Sequence, residues 1–196
     1  MAKPTTMSAV QMEAILGGTV FQHSLSDWLV TWESSGNYRY WCVQAKCGHT
    51  NSITIVLKNP GRLSGDGSDL NRDTTLRILR EVGSRARVNW LVLNLFDYAD
   101  PKPAGLHQNW ELRDAEQLVY PAIAHREHRY LMLAHGDFDR ERYADYAERA
   151  NVIRAFFPSS TAIPVPLTKR GNPHHPMNWQ RMKLTDEIIA SIVAHL

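Results

Sequence analysis

The sequence predicts an α/β fold: a three-layer α/β/α sandwich around a central, mostly parallel, four-stranded sheet, preceded by an N-terminal β-hairpin extension. Three observations predict it. From residue 51 onward, short apolar runs alternate with helix-like segments, the pattern of strands joined by crossover helices and therefore paired in parallel. Each run is followed by polar, turn-forming residues, and in such sheets ligands bind at the carboxyl ends of the strands. Finally, 196 residues, 43% of them hydrophobic and 21% charged, suffice for a core without staples and exclude wholesale disorder.

The elements follow in order. Residues 1–8 read as a loose tail, and residues 9–16 as a short helix stopped by Gly17 and Gly18. Residues 28–32 and 38–43 are rich in aromatic and β-branched side chains and flank Ser34-Ser35-Gly36-Asn37, which reads as a hairpin. Residues 1–50 are thus expected to pack as an extension on an α/β domain spanning 51–196. The first strand of that domain is 53–57, ending at Asn59-Pro60-Gly61, with a polar loop over 62–72. Asp73 or Thr74 can cap a helix that runs to about Val82 and stops at Gly83. Residues 88–96 form the second strand, and 112–124 a helix kinked or ended at Pro121. Residues 130–134 form the third strand, closed by His135-Gly136, and 140–157 a long helix stopped by Pro158. A fourth strand at 162–165 leads into a loop over 166–179. Thr185 then caps a last helix carrying Ile188, Ile189, Ile192, Val193 and Leu196 at helical spacing.

Composition bounds the function. The net charge is +2, from 22 Lys+Arg against 20 Asp+Glu. That balance does not announce nucleic-acid binding, although a local basic groove is enough for it. Arginine outnumbers lysine, which suits bidentate contacts to phosphate or carboxylate. Two cysteines exclude a disulfide scaffold and a four-cysteine iron–sulfur site. No apolar run approaches ~18 residues, and no cationic start precedes an apolar stretch, so a cytoplasmic protein without a membrane span is expected.

The candidate site residues lie after the strands. Asn59 can orient a water or a base edge through its amide, and Pro60 and Gly61 form a rigid turn that exposes backbone groups. Asn94 sits inside the apolar run Leu91-Val92-Leu93-Asn94-Leu95-Phe96. A buried amide there costs about 1–3 kcal/mol unless paired, so it either satisfies backbone or reads a ligand. His174 and His175, within Gly171-Asn172-Pro173-His174-His175-Pro176, suit acid–base work or stabilisation of an oxyanion. Asp73 is a helix cap and also a carboxylate beyond a glycine-rich loop. Arg62, Lys169 and Arg170 can touch phosphates. Cys42, Cys47 and His49 offer three zinc ligands without an evident fourth, and no metal is expected. Trp28, Trp32, Tyr40 and Trp41 read as packing rather than base stacking.

Taken together, Leu57-Lys58-Asn59-Pro60-Gly61, Asp73-Thr74-Thr75-Leu76-Arg77, Val92-Leu93-Asn94-Leu95-Phe96 and Gly171-Asn172-Pro173-His174-His175-Pro176 resemble a family of uncharacterised bacterial and phage proteins known only as a domain of unknown function, over roughly residues 38–179. The same layout is more distantly similar to the uracil-DNA glycosylase superfamily, in its mismatch-specific branch with Asn-Pro-Gly in the first motif. That resemblance implies a glycosylase-like fold and a flipped, modified or unmodified, nucleobase whose N-glycosidic bond is hydrolysed, in DNA repair or phage defence. It implies Asn59, His175 and Asp73 as catalytic residues, with Pro60, Gly61, Asn94, Phe96 and His174 around the base. Arg62, Lys169, Arg170 and Trp179 would contact DNA, with Met177 or Trp179 as a wedge. It implies no cofactor, a DNA partner, single- or double-stranded, and a monomer. The first motif carries no aspartate, residues 62–75 hold no aromatic, and Met177-Asn178-Trp179 follows His175-Pro176. These departures keep two alternatives open: a non-catalytic nucleic-acid or nucleotide-binding module, and an enzyme of free nucleosides or nucleotides.

Overall fold

Strand-forming residues dominate the first half of the chain. In a computed structural model, which describes residues 16–99, 119, 120, 122, 129–137 and 143–196, four strands come first: β1 (Thr19–Leu25), β2 (Trp28–Ser35), β3 (Tyr38–Lys46) and β4 (Asn51–Leu57). Then follow α1 (Thr74–Ala86), β5 (Val88–Asn94), β6 (Tyr130–Leu133), α2 (Tyr143–Ala155), β7 (Thr161–Ala162), α3 (Pro176–Arg181) and α4 (Thr185–His195). The expected helices at 9–16 and 112–124 lie outside the described residues, or almost wholly so.

The described strands form one seven-stranded sheet in the order β1-β2-β3-β5-β4-β6-β7. Pairing is antiparallel from β1 through β2 and β3 to β5, and parallel between β5 and β4, β4 and β6, and β6 and β7. This overturns the expected four-stranded, mostly parallel α/β/α sandwich, including the glycosylase-like layout, with a hairpin packed beside it. The sheet is mixed, and its antiparallel ladders hold more of the register than its parallel ones. The pair β2–β3 is no appendage: Cys42, Val43 and Gln44 stand opposite Val92, Leu91 and Trp90 of β5. The physical reason lies in burial. An antiparallel strand with one wet face alternates apolar and polar residues, whereas a strand covered on both faces does not. β2 is buried at all but three positions, β3 from Arg39 to Gln44, and β5 throughout. β1, TVFQHSL, alternates partly buried with exposed residues as an edge strand does, and that weak pattern hides it in the sequence.

The two sheet faces bury separate clusters among the described residues. Trp28, Val30, Trp32, Cys42, Ile53, Ile55, Trp90 and Val92 pack with Leu76, Leu79, Ile188 and Ile192 of α1 and α4. Trp41, Val43, Val56, Leu91 and Leu93 pack with Ala150 and Ile153 of α2. Two indole nitrogens inside these clusters are anchored: Trp90 Nε1 donates to Leu79 O at 2.7 Å and Trp41 Nε1 to Glu33 Oε2 at 2.6 Å.

Helix ends explain further differences. Asp73 caps α1, accepting from Leu76 N at 2.9 Å. The helix passes Gly83 instead of stopping there, because a Cβ at Gly83 would come within 2.6 Å of Trp90 Nε1 and 2.9 Å of Trp28 Cη2. The glycine admits two indoles rather than ending a helix. In α4 the capping position falls to Leu184 without a side-chain hydrogen bond, so Thr185 begins the helix and does not cap it; Val193 is exposed. β7 is shorter than the expected strand at 162–165.

The parallel strands position the site. In register, Leu57 lies beside Asn94 and Val56 beside Leu133. Pairing continues past the strand ends, with Leu95 N bonded to Leu57 O, Phe96 N to Lys58 O and Ala134 N to Val56 O. Asn59, Asn94 and His135 therefore leave the sheet along one edge.

Candidate functional site

At that edge lies a cleft of about 680 Å³. Its walls are the turn after β4 (Lys58 to Arg62), the start of α1 with the residues before it (Asp69, Arg72 to Thr75), the segment after β6 (His135 to Asp137), and the start of α3 (His175, Met177, Asn178). Of the residues expected from sequence, it gathers Asn59, Pro60, Gly61, Arg62, Asp73, His175 and Met177.

Asp73 is held twice. Its Oδ1 caps α1, and its Oδ2 accepts from Arg39 Nη1 of β3 at 3.3 Å, with the two side chains 3% and 10% exposed. A Cβ on Gly61 would lie 3.1 Å from the same Oδ2, so the missing side chain lets the turn close onto the carboxylate. Asn59 Nδ2 donates to Pro60 O at 3.4 Å, and Lys58 Nζ donates to Asp137 O at 3.2 Å. Arg62 is hydrogen-bonded to Asn37 Oδ1.

The segment after β6 and the loop before α3 are tied together. Gly136 N donates to Pro173 O at 2.9 Å. Asp137 Oδ1 accepts from Thr168 Oγ1 at 2.6 Å and from Asn172 Nδ2 at 2.9 Å. Burial works against the Asp137 charge, yet these hydrogen bonds, with Arg170 and His174 nearby, hold its carboxyl below the ordinary range. Gly136 has φ +77°, and a Cβ there would sit 3.0 Å from His175 Cβ. Glycine thus brings the two histidine-bearing segments side by side.

The histidines differ in what they present. His175 is the N-cap of α3, and its Nδ1 accepts from Met177 N at 3.3 Å, with Pro176 at the first helical position. Burial, then the charge of Lys58 against the opposing pull of Asp73, lowers its pKa to about 4. At neutral pH the ring is uncharged, and because Nδ1 accepts, Nε2 carries the proton. His135 is buried; its Nδ1 donates to Gly136 O at 2.9 Å, and burial holds its pKa below the usual value.

Asn94 is 2% exposed, and neither its Oδ1 nor its Nδ2 has a hydrogen-bond partner among the described residues. By the two-residue period of a strand it shares a face with Trp90 and Val92, the face that carries α1. Such an unpaired amide costs about 1–3 kcal/mol. His174 is also buried with Nδ1 unpaired among the described residues, while its backbone oxygen accepts from Trp179 Nε1.

Other expected residues stand elsewhere. Phe96 is buried in the opposite-face cluster, beneath the Arg149 guanidinium at 5.2 Å. Lys169 and Arg170 are exposed on the turn after Thr168, outside the cleft walls. Trp179 is a correction: it is fully buried in the core with its indole bonded to His174, so it neither contacts DNA nor acts as a wedge. The cysteines are separated in environment. Cys42 is buried, its thiol pushed up to about 12 by burial, Cys47 is exposed, and His49 Nδ1 donates to Val88 O at 3.1 Å. Among the described residues no group of three or more His, Cys, Asp or Glu is placed to hold a metal. No helix among them is long and apolar enough to cross a membrane.

Sequence reasoning passed over Lys58, Arg39, Arg72, His135 and Asp137 as site residues. His135-Gly136-Asp137 directly follows the third apolar run, so the rule that selected Asn59 and Asn94 also points to it. Arg39 carried no such signal, since it reaches the site from the antiparallel part of the sheet.

A search of curated proteins found no match. The sequence model of a family described as "Protein of unknown function (DUF1643)" matches residues 39–177, from Arg39 through the cleft to Met177. The chain belongs to this family.

Proposed function

We propose that the cleft takes up an extrahelical nucleobase of DNA and that the chain hydrolyses its N-glycosidic bond. The observation that carries this reading is His175: an uncharged imidazole on the cleft wall whose protonated nitrogen is Nε2. A base leaving a sugar takes the bonding electrons and spreads the charge onto its carbonyl oxygens. A neutral N–H donor at that position stabilises the charge as it develops. The likeness of the Asn59-Pro60-Gly61 and His175-Pro176 motifs to uracil-DNA glycosylases supplies the substrate class and makes no claim on the fold.

In this mechanism Asn59 orients a water toward the sugar carbon. The water oxygen bonds to C1′, the C1′–N bond breaks, and the departing base is held by His175 Nε2–H. The amide of Asn94 is buried and not on the cleft walls; with donor and acceptor both unpaired among the described residues, it suits the edge of a base that enters past those walls. Lys58, Arg62 and Arg72 on the cleft wall meet backbone phosphates, which makes binding fall with salt. Asp73, with both oxygens engaged, fixes the start of α1 and adds negative charge beside an electron-poor sugar.

The test is free-base release, read by mass spectrometry, from uracil-containing, mismatched and hypermodified DNA. Release by the wild type that Asn59→Ala and His175→Ala reduce ~10²-fold or more is the expected result. One observation favours a second reading, a module that binds a nucleotide without cleaving it: the carboxylate nearest the Asn59 turn is committed to a helix cap and a guanidinium. Binding without release throughout the panel selects that module. Release from nucleosides or nucleotides alone selects an enzyme of monomers.

A further inference from the structure

A second open space lies at the β7 edge of the sheet. β7 pairs with β6 over two positions, Tyr130 with Thr161 and Leu131 with Ala162, and one further bond runs from Ile163 N to Leu131 O. Pro164 and Pro166 follow. Each lacks a backbone donor, so the ladder cannot continue. On its outer side Leu133 therefore has no strand beside it among the described residues. α2 does not fill the gap. Its lining residues there are Ala147, Ala150, Asn151 and Arg154, at the three- and four-residue spacing of one helix face, and two of these four are alanines. What remains is a cleft of about 690 Å³, lined also by Leu131, Leu133, Ile163, Val165 and Leu167. Among the described residues it shares only His135 with the walls of the first cleft.

The walls combine apolar surface with an unmatched charge. Leu133 is half-buried and Leu167 is 63% exposed, so apolar surface that a ligand could cover stays in water. No Asp or Glu lines the cleft among the described residues. Arg154 lines it, is exposed, and has no ion pair or hydrogen bond from its guanidinium among them. The Asn151 amide stands three residues before it on the same face. A DNA phosphate would gain from Arg154 but would leave Leu133 and Leu167 wet, and one arginine is not the row of cations that a phosphate backbone takes. An amphiphile satisfies both features. The volume is that of a small-molecule site with apolar walls and few polar groups, and a guanidinium fork matches a carboxylate. We propose that this second cleft binds a small amphiphilic carboxylate, with its hydrocarbon body along Leu133 and Leu167 and its head at Arg154 and Asn151.

Calorimetric titration of the wild-type protein with three probes of one chain length tests this: octanoate, octan-1-ol and octylammonium. Saturable binding of octanoate at a single site is expected, about tenfold tighter than the alcohol, because a hydrogen bond to a charged group is stronger than one to a neutral group, and tighter still than the cation. Amide shifts in NMR should then move along α2 and from Ile163 to Leu167. Two variants change exposed positions, where the fold is expected to stand, checked by circular dichroism. Arg154→Glu should turn the preference toward octylammonium, and Leu167→Asp should weaken octanoate and octan-1-ol alike. Octanoate that never saturates the wild type overturns the proposal, as does equal affinity for the three probes or octanoate binding unchanged in both folded variants. A dimer in sedimentation that covers Leu167 and excludes octanoate assigns the cleft to a second copy of the chain and also overturns it. None of these readouts uses DNA, so the hydrolytic reading of the first cleft stands or falls separately.

Discussion

The two parts of the sheet are joined differently, and the joins decide where a site can form. In the antiparallel part, β1 passes to β2 through Ser26 and Asp27, and β2 to β3 through Gly36 and Asn37. Two-residue turns return the chain at once and leave little to build with. In the parallel part, β4 reaches α1 through Lys58 to Asp73, because parallel pairing demands a crossover. The start and end of that connection line the cleft. The antiparallel strands therefore supply core, and the parallel strand ends supply the cleft. The difference is not absolute: Arg39 reaches from β3 to Asp73, so the core strands also brace the cleft.

The sharpest way to break this comparison is to remove core from the antiparallel part. Trp32 is fully buried, stacked on Phe21 with ring centroids 5.5 Å apart. Trp32→Ala should cost about 3–5 kcal/mol in urea unfolding while leaving affinity for DNA in the surviving folded protein unchanged. Lost affinity in a folded variant would mean that the two parts are not separable. Arg39→Ala tests the brace. Removing one partner of a buried pair leaves the other uncompensated, at about 3–5 kcal/mol, and here both stability and cleft function should fall. A loss below 1 kcal/mol would show that Asp73 finds another donor.

The cleft should reveal itself through pH. His175 has a folded pKa of about 4 against ~6.5 in the unfolded chain. Between those values the unfolded state holds a proton that the native state refuses, so stability falls as the pH drops from ~6.5 toward 4, by about 3 kcal/mol in full. Above pH 6.5 this contribution is flat. His175→Gln should remove that slope and leave stability at pH 7 nearly unchanged. A wild-type profile level from pH 7 to 4.5 would refute the depressed pKa.

How much of this was legible follows from the same physics. β4, β5 and the start of α1 were readable because continuous apolar runs, Asn59-Pro60-Gly61 and the Asp73 cap are local signals. The order β3-β5-β4 was not, since pairing between Gln44 and Trp90 is a long-range choice that no local pattern carries. One clue existed: Tyr38-Arg39-Tyr40-Trp41-Cys42-Val43 does not alternate, and a hairpin with a wet face should. In the site, Asn59 and His175 stood out through neighbouring prolines and glycines. Trp179 misled because exposure cannot be told from residue type, and α3 turns this indole inward. His135 was visible by position but undistinguished by motif; its bond to Gly136 O is a contact no local pattern announces.

The smallest expected effect separates the two regions most cleanly in sign. A core residue loses stability when changed, but Asn94 should gain it. Its amide is buried at the end of β5 with both polar atoms unpaired among the described residues, and leucine keeps its branched four-atom skeleton while removing the desolvated groups. Asn94→Leu should therefore raise stability by about 1 kcal/mol in the free protein, measured by urea unfolding, and at the same time weaken binding or blur the choice of base. That pairing is the mark of a group kept for a ligand at a cost to the fold. If Asn94→Leu destabilises instead, the amide is satisfied inside the free protein, for example by a buried water, and its place belongs with the core strands rather than with the cleft.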